Sequence, residues 1–286
     1  MSQDISQAED AFGVLASQLR LKILEALTER DDGSTVSFTE LYERVDSTNT
    51  SQFSYHLQEL TGQYVHQTAD GYGISDAGRR IVQAARAGEY TTQPEFDSVT
   101  VSTHCPYCGA TTAEASYEGE LVTVDCVACA NTILRYDLRP GHVEDRDSNQ
   151  ALRAADRQMQ AELGSAMDGV CQRCGGSIDT ALHTGPDVSP ATALLTCDCL
   201  HCGTRLAAPV EVALVQPPRV ACHATEESAG TQPVPTWERL PVLSTWDVAV
   251  VDETTATISL DEQQFVVETE DGVDIHPPAR GSTPSV

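Results

Sequence analysis

The 286-residue chain contains a single lysine, Lys22. Aromatic residues make up only 5% of it, with 3 methionines and 2 tryptophans. Arginine supplies nearly all the positive charge, and 17 basic residues stand against 43 acidic ones, for a formal net charge of −26. The acid is spread out: residues 1–90 hold 14 acidic and 7 basic residues, 91–202 hold 16 and 6, and 203–286 hold 13 and 4. The basic arm or patch that would bind a polyanion by releasing counterions is therefore missing. A lysine-poor, acid-rich surface stays hydrated in concentrated salt, which points to a halophilic host. The plainer reading is a surface that only keeps the protein dissolved.

Long apolar runs are also missing. None approaches the ~18 residues of a membrane span, and the start, "MSQDISQAED", is polar and acidic rather than a signal peptide. A cytoplasmic protein without a membrane partner is expected. In that compartment paired cysteines bind metal more often than they form disulfides. Catalytic signatures are lacking too: no G-x-G-x-x-G, no G-K-[ST] and no G-x-S-x-G occurs. The chain is therefore not expected to be an enzyme.

What is present begins with helical periodicity. "AFGVLASQLRLKILEAL" spaces Phe12, Leu15, Leu19, Ile23, Leu24 and Leu27 as the inner face of two helices broken near Ser17. "SFTE" reads as a capping box, with Ser37 at N-cap and Glu40 at N3 of a helix over Thr39–Val45. "DSTN" is a turn with Ser47 and Thr48 as cap candidates. A helix over Thr50–Thr61 buries Phe53, Leu57 and Leu60 and stops at Gly62. "YVHQ" and "GYGI", joined by "TADG", read as a hairpin. "SDAGRRIVQAARAG" then opens a new helix at Ser75. This order of helices, hairpin and helix is a winged helix-turn-helix.

The outward face of the Thr50–Thr61 helix carries Thr50, Ser51, Gln52, Ser54, Tyr55 and Gln58. Gln, Ser and Thr suit base edges, and Tyr and Ser suit phosphates. Thr68 and Gly71 on the hairpin, with Arg79 and Arg80 on the following helix, complete the candidate contacts to double-stranded DNA. His56 lies beside the buried side and reads as a packed or capping residue. "LRLKILEAL", "SFTELYERV", "SQFSYHLQEL" and "GYGISDAGRR" resemble the ArsR-like winged-helix regulators, in the version found in halophilic archaea, over residues 8–90. The resemblance implies transcription regulation by an expected homodimer. This module contains no cysteine, so the metal-sensing motifs of some ArsR-like proteins are not implied.

Eight of the ten cysteines form two matched sets: Cys105, Cys108, Cys126 and Cys129, then Cys171, Cys174, Cys199 and Cys202. Each set is two C-x-x-C knuckles, and "CPYCG" and "CQRCGG" place glycine after the second cysteine. Two facing knuckles give four thiolates in a tetrahedron, which suits a structural Zn2+ in each set, two per chain. A lone C-x-x-C could be a redox pair, but four pairs without a βαβ context argue against it. An iron–sulfur cluster would also take four thiolates; the widely split pairs favour zinc. Strands are expected at "LVTVDC" and "TILRYDL" in the first set, and at "TALLTCD" and "TRLAAPVEVALV" in the second. Cys197 and Cys222 read as buried apolar residues, although Cys197 could compete with Cys199. His104 and His201 flank ligands.

The expected architecture is α+β. A winged helix spans 8–90, zinc-ribbon-like modules span 98–140 and 169–216, and a helix over 147–168 joins them. A small β-rich element with Trp237 and Trp246 in its core spans 217–275, and a disordered tail spans 276–286. The leading function is a DNA-binding transcriptional regulator, with the ribbons in a sensing or contact domain. The alternative is a zinc-ribbon module that binds protein or RNA without reading DNA bases.

Overall fold

The computed structural model describes residues 2–29, 35–47, 49–188, 190–214, 235–243, 246–260, 263–270 and 272–277. Cys222, Thr48 and most of the expected tail fall outside these. The chain forms two compact units, 1–92 and 93–286. Among the described residues no helix is long and apolar enough to cross a membrane.

The first unit contains α1 (Ser2–Leu15), α2 (Gln18–Thr28), α3 (Phe38–Arg44) and α4 (Thr50–Leu60). The strands β1 (Val65–Thr68) and β2 (Gly71–Ile74) follow, then α5 (Asp76–Arg86). Ile23, Leu24, Leu41, Phe53, Leu57, Leu60 and Val65 build its core. Phe53 stands edge-on to Phe38 and Tyr42, at 5.3 and 5.2 Å between ring centroids. Ser37 caps α3 by accepting the Glu40 N–H at 3.2 Å. Two local expectations need correction. The cap of α4 is Asn49, whose Oδ1 accepts the Gln52 N–H at 3.0 Å, in place of Ser47 or Thr48. Phe12, expected inside, is 65% exposed, because the chain breaks between α1 and α2 and the helical phase does not carry across.

The hairpin extends to a third segment through Val36, which bridges Tyr72 in antiparallel fashion. Gly71 sits at that contact with φ +140, and a Cβ there would collide with the Val36 carbonyl oxygen.

The second unit holds three antiparallel meanders. The first is β3 (Phe96–Ser102), β4 (Thr112–Glu118), β5 (Leu121–Cys126) and β6 (Thr132–Asp137). Next comes α6 (Ser148–Met167), started by a capping box of Asp147 and Gln150. The second meander is β7 (Ile178–Thr184), β8 (Ala193–Cys199) and β9 (Arg205–Pro209). After α7 (Val210–Leu214) and α8 (Thr236–Leu243) comes the third: β10 (Asp247–Val250), β11 (Thr255–Leu260), β12 (Gln263–Glu268) and β13 (Asp274–His276).

The expected strand over 204–215 ends early. β9 pairs Pro209 with Leu194, next to the first residue of β8, so the ladder runs out and the chain turns into α7. The expected β-rich element begins with a helix, α8, because Asp156 of α6 accepts the Thr236 N–H at 2.9 Å and so satisfies a free backbone amide of its first turn. Trp237 and Trp246 are buried as expected, but in different cores. Trp237 packs with Tyr117, Val124 and Leu152 against the first meander. Trp246 joins Met167, Leu195, Val210, Ile258 and Val267 in a core that the second and third meanders share. The second cysteine set and the C-terminal strands are thus one packed body.

Candidate metal centres and helix surface

The first cysteine set gathers at one end of its sheet. Cys105 and Cys108 lie in the β3–β4 loop, Cys126 ends β5, and Cys129 lies in the β5–β6 loop. The second repeats the plan with Cys171 and Cys174 before β7, Cys199 at the end of β8 and Cys202 after it. All four sulfurs of each set lie within 4.8 Å of one another. The closest approaches are 3.7 Å for Cys105–Cys129 and 3.6 Å for Cys108–Cys126. In the second set they are 3.8 Å for Cys171–Cys202 and 3.5 Å for Cys174–Cys199. A disulfide needs about 2.05 Å. A tetrahedral four-thiolate centre with bonds of about 2.3 Å has edges of about 3.8 Å, which fits both sets.

The backbone explains why the sulfurs converge. In every knuckle the N–H of the first cysteine reaches the carbonyl five residues on: Ala110, Asn131, Gly176 and Thr204 accept at 2.8, 2.9, 2.9 and 2.8 Å. The N–H of the residue after the second cysteine returns to the first cysteine's carbonyl, at 2.8–3.1 Å. That residue is left-handed each time: Gly109, Ala130, Gly175 and Gly203, at φ +75, +58, +73 and +76. Further donors face the sulfurs. Gly176 N–H reaches Cys174 Sγ and Cys202 N–H reaches Cys199 Sγ, both at 3.4 Å. Asn131 Nδ2 reaches Cys129 Sγ at 3.3 Å, and Thr204 Oγ1 lies 3.2 Å from Cys202 Sγ.

These donors have an electrostatic consequence. The Asn131 backbone N–H, with its side-chain amide, pulls the Cys129 thiol down to about 6. The Thr204 hydroxyl and N–H do the same for Cys202, also to about 6. At Cys174 the Gly176 N–H favours the thiolate, but desolvation and the neighbouring sulfurs outweigh it and push the thiol up to about 12. Four thiolates this close repel one another unless a cation sits among them. The two sets are therefore compatible with two structural metal ions. Cys197 is not part of either set. It is fully buried in the shared core, and burial pushes its thiol up to about 12, so it packs as a small apolar side chain. His201 packs against Gly176 beside Cys174, and His104 sits over Gly109.

The second candidate surface lies on the first unit. Thr50, Ser51, Gln52, Ser54, Tyr55 and Gln58 are all exposed along α4, opposite its buried Phe53, Leu57 and Leu60. Arg20, unnoticed in the sequence, anchors this helix: it donates to His56 Nδ1 at 3.1 Å, to the Val14 carbonyl at 2.6 Å and to Glu59 at 3.3 Å. Its guanidinium also lies 5.9 Å from the Tyr55 ring centroid. Only the apolar neighbours of Arg20 follow a period, so nothing in the pattern singles it out. Thr68 is exposed at the hairpin tip, where its hydroxyl accepts the Asp70 N–H at 3.2 Å. Gly71 is half-buried against Val36, so its backbone is already committed to the fold. Arg79 is half-buried, and Arg80 pairs with Asp76 at 2.9 Å.

Residues 102–274, more than half of the chain, match the family model described as domain of unknown function DUF7351. Residues 8–85 match a second model, domain of unknown function DUF7347. Comparison with curated proteins and with solved structures gives no match.

Proposed function

The chain belongs to the family described as domain of unknown function DUF7351, and we propose that it is a DNA-binding transcriptional regulator. In this reading the first unit is a winged helix-turn-helix of ArsR-like type. Its α4 enters the major groove, and the β1–β2 hairpin is the wing. The observation that carries it is the two-sidedness of α4: Phe53, Leu57 and Leu60 face the core, and six neutral hydrogen-bonding side chains, Tyr55 among them, face solvent. An interaction helix would be expected to show apolar groups outward; Tyr55 is the one large hydrophobic exposed on α4.

The metal in both cysteine sets is Zn2+, held as a structural ion, since all four positions of each tetrahedron are filled by protein. The protein works as a homodimer through α1, where Ile5 and Phe12, two turns apart, are 69% and 65% exposed. Phe12→Ser should then convert a dimer to a monomer by sedimentation velocity.

The test of DNA reading is a selection of bound fragments from a random duplex library, in molar KCl, followed by anisotropy titration of the enriched site. A double change, Gln52→Ala with Tyr55→Ala, should weaken binding by on the order of 1–3 kcal/mol per lost contact with helical content unchanged. Absence of an enriched sequence, or normal binding by the double variant, would refute this use of α4.

A further inference from the structure

The second unit contains a cavity of about 830 Å³, within the ~300–1,000 Å³ range of small-molecule sites. Its walls come from both cysteine sets and the elements between them. Pro106 and Tyr107 sit inside the first knuckle, and Gly203 and Thr204 follow the last. Leu134, Met159, Leu163, Leu194, Leu206 and Leu243 supply the apolar lining.

Three buried polar groups line the same space without a hydrogen-bond partner among the described residues. They are the Tyr136 hydroxyl, Glu211 Oε2 and Trp246 Nε1, on residues only 6, 9 and 7% exposed. A fourth such atom, Glu162 Oε2, lies outside the lining, and its buried carboxylate acts on the Tyr136 hydroxyl from behind the wall. One such atom can be an accident of packing. A buried polar atom left unpaired is costly, and native interiors keep few of them. Three around one cavity mark groups kept for something that enters it. Burial pushes the Glu211 carboxyl up, and burial together with the nearby Glu162 carboxylate does the same for the Tyr136 phenol. Apart from Glu211, the charged residues of the lining, Arg135, Asp137, Arg173 and Arg205, are all exposed.

We propose that this cavity binds a neutral, largely apolar small molecule that carries one group able both to donate and to accept a hydrogen bond, such as an alcohol or amide. Trp246 N–H can only donate, the Glu211 carboxyl can donate or accept, and the Tyr136 hydroxyl does both. An anion would have to shed its hydration beside the Glu211 carboxyl with no buried cation in the lining to meet it. An apolar molecule with no polar group would leave all three atoms unpaired. The proposal is independent of DNA binding, since every residue it uses lies in 93–286.

The test uses the full, zinc-loaded chain and the fluorescent probe N-phenyl-1-naphthylamine, which brightens in apolar surroundings. A saturable rise with one probe per chain is expected. 2-Naphthol should displace the probe at roughly one-tenth the concentration needed for naphthalene, which has the same rings and no hydroxyl. Glu211→Leu should keep probe binding and shrink that preference. Ala208→Trp, placed on the half-buried cavity wall, should abolish binding with both metals retained. No saturable rise in the wild type, equal displacement by the two competitors, or unchanged binding in an Ala208→Trp chain that keeps its metals would overturn the proposal. Should Ala208→Trp fail to fold, the competitor preference and its loss in Glu211→Leu decide alone.

Discussion

Ala130 occupies the place that glycine takes in the other three knuckles, at φ +58. A left-handed backbone costs a residue with a Cβ about 1–2 kcal/mol, and glycine loses part of that advantage through its freer unfolded chain. Ala130→Gly is therefore expected to stabilise the metal-loaded protein by about 0.5–1 kcal/mol, and Gly203→Ala to destabilise it by about 1 kcal/mol. Urea unfolding followed by tryptophan emission measures both; a loss of stability in Ala130→Gly would show that the alanine methyl makes a contact worth more than the strain. The ligand cysteines themselves were readable one by one, because spacing alone defines them. Arg20 and Asp156, which tie separate helices together, were not, since His56 and Thr236 at the other end of those bonds are 36 and 80 positions away.

The helices α2, α3, α4, α5 and α6 were legible because each shows its inward stripe within one local stretch, and α3 and α5 also show the serine that caps them. β3, β4 and β7 were not read, α7 was read as strand, and α8 fell inside an expected β-rich element; β9 runs out at Pro209 beside the start of β8, and Asp156, 80 positions away, receives the start of α8. The shared core also decides what metal loss does. Cys174→Ser should remove one of two zinc ions by elemental analysis. It should loosen β7–β9 and β10–β13 together, since Leu195, Cys197, Ile258 and Val267 pack as one cluster. Cys108→Ser should remove the other ion and expose the Tyr117, Val124 and Trp237 core instead. Hydrogen exchange by segment distinguishes these patterns, and structural zinc sites couple to folding by on the order of 10 kcal/mol. Exchange unchanged in β10–β13 after Cys174→Ser would mean that the sheet stands without the metal.

At the scale of the molecule, charge governs how a protein of net −26 could approach DNA. Residues 47–61 contain no Lys or Arg and a single acid, Glu59, which Arg20 holds at 3.3 Å. α4 is thus a nearly neutral strip on an acidic body. At low salt the body repels the duplex; in molar salt the Debye length is about 3 Å and short-range contacts decide. Affinity for the selected site is expected to hold or rise as KCl increases from 0.1 to about 3 M, against the usual fall from counterion release. A steep fall in a KCl titration would reveal basic contacts, with Arg79 and Arg80 the first to test. The shared core has a further consequence during synthesis. All four ligands of the second metal centre have been made once Cys202 is added, but the core beneath them waits for residues as late as Val273. At ~5–20 residues per second that interval lasts roughly 4–14 s. Through it β7–β9 have only their own ladders, α6 and the second cysteine set to hold them, with β10–β13 still to be added to the shared core. If the second set holds zinc as proposed, zinc shortage would therefore act first on the growing chain, where that part of the fold has the fewest other contacts.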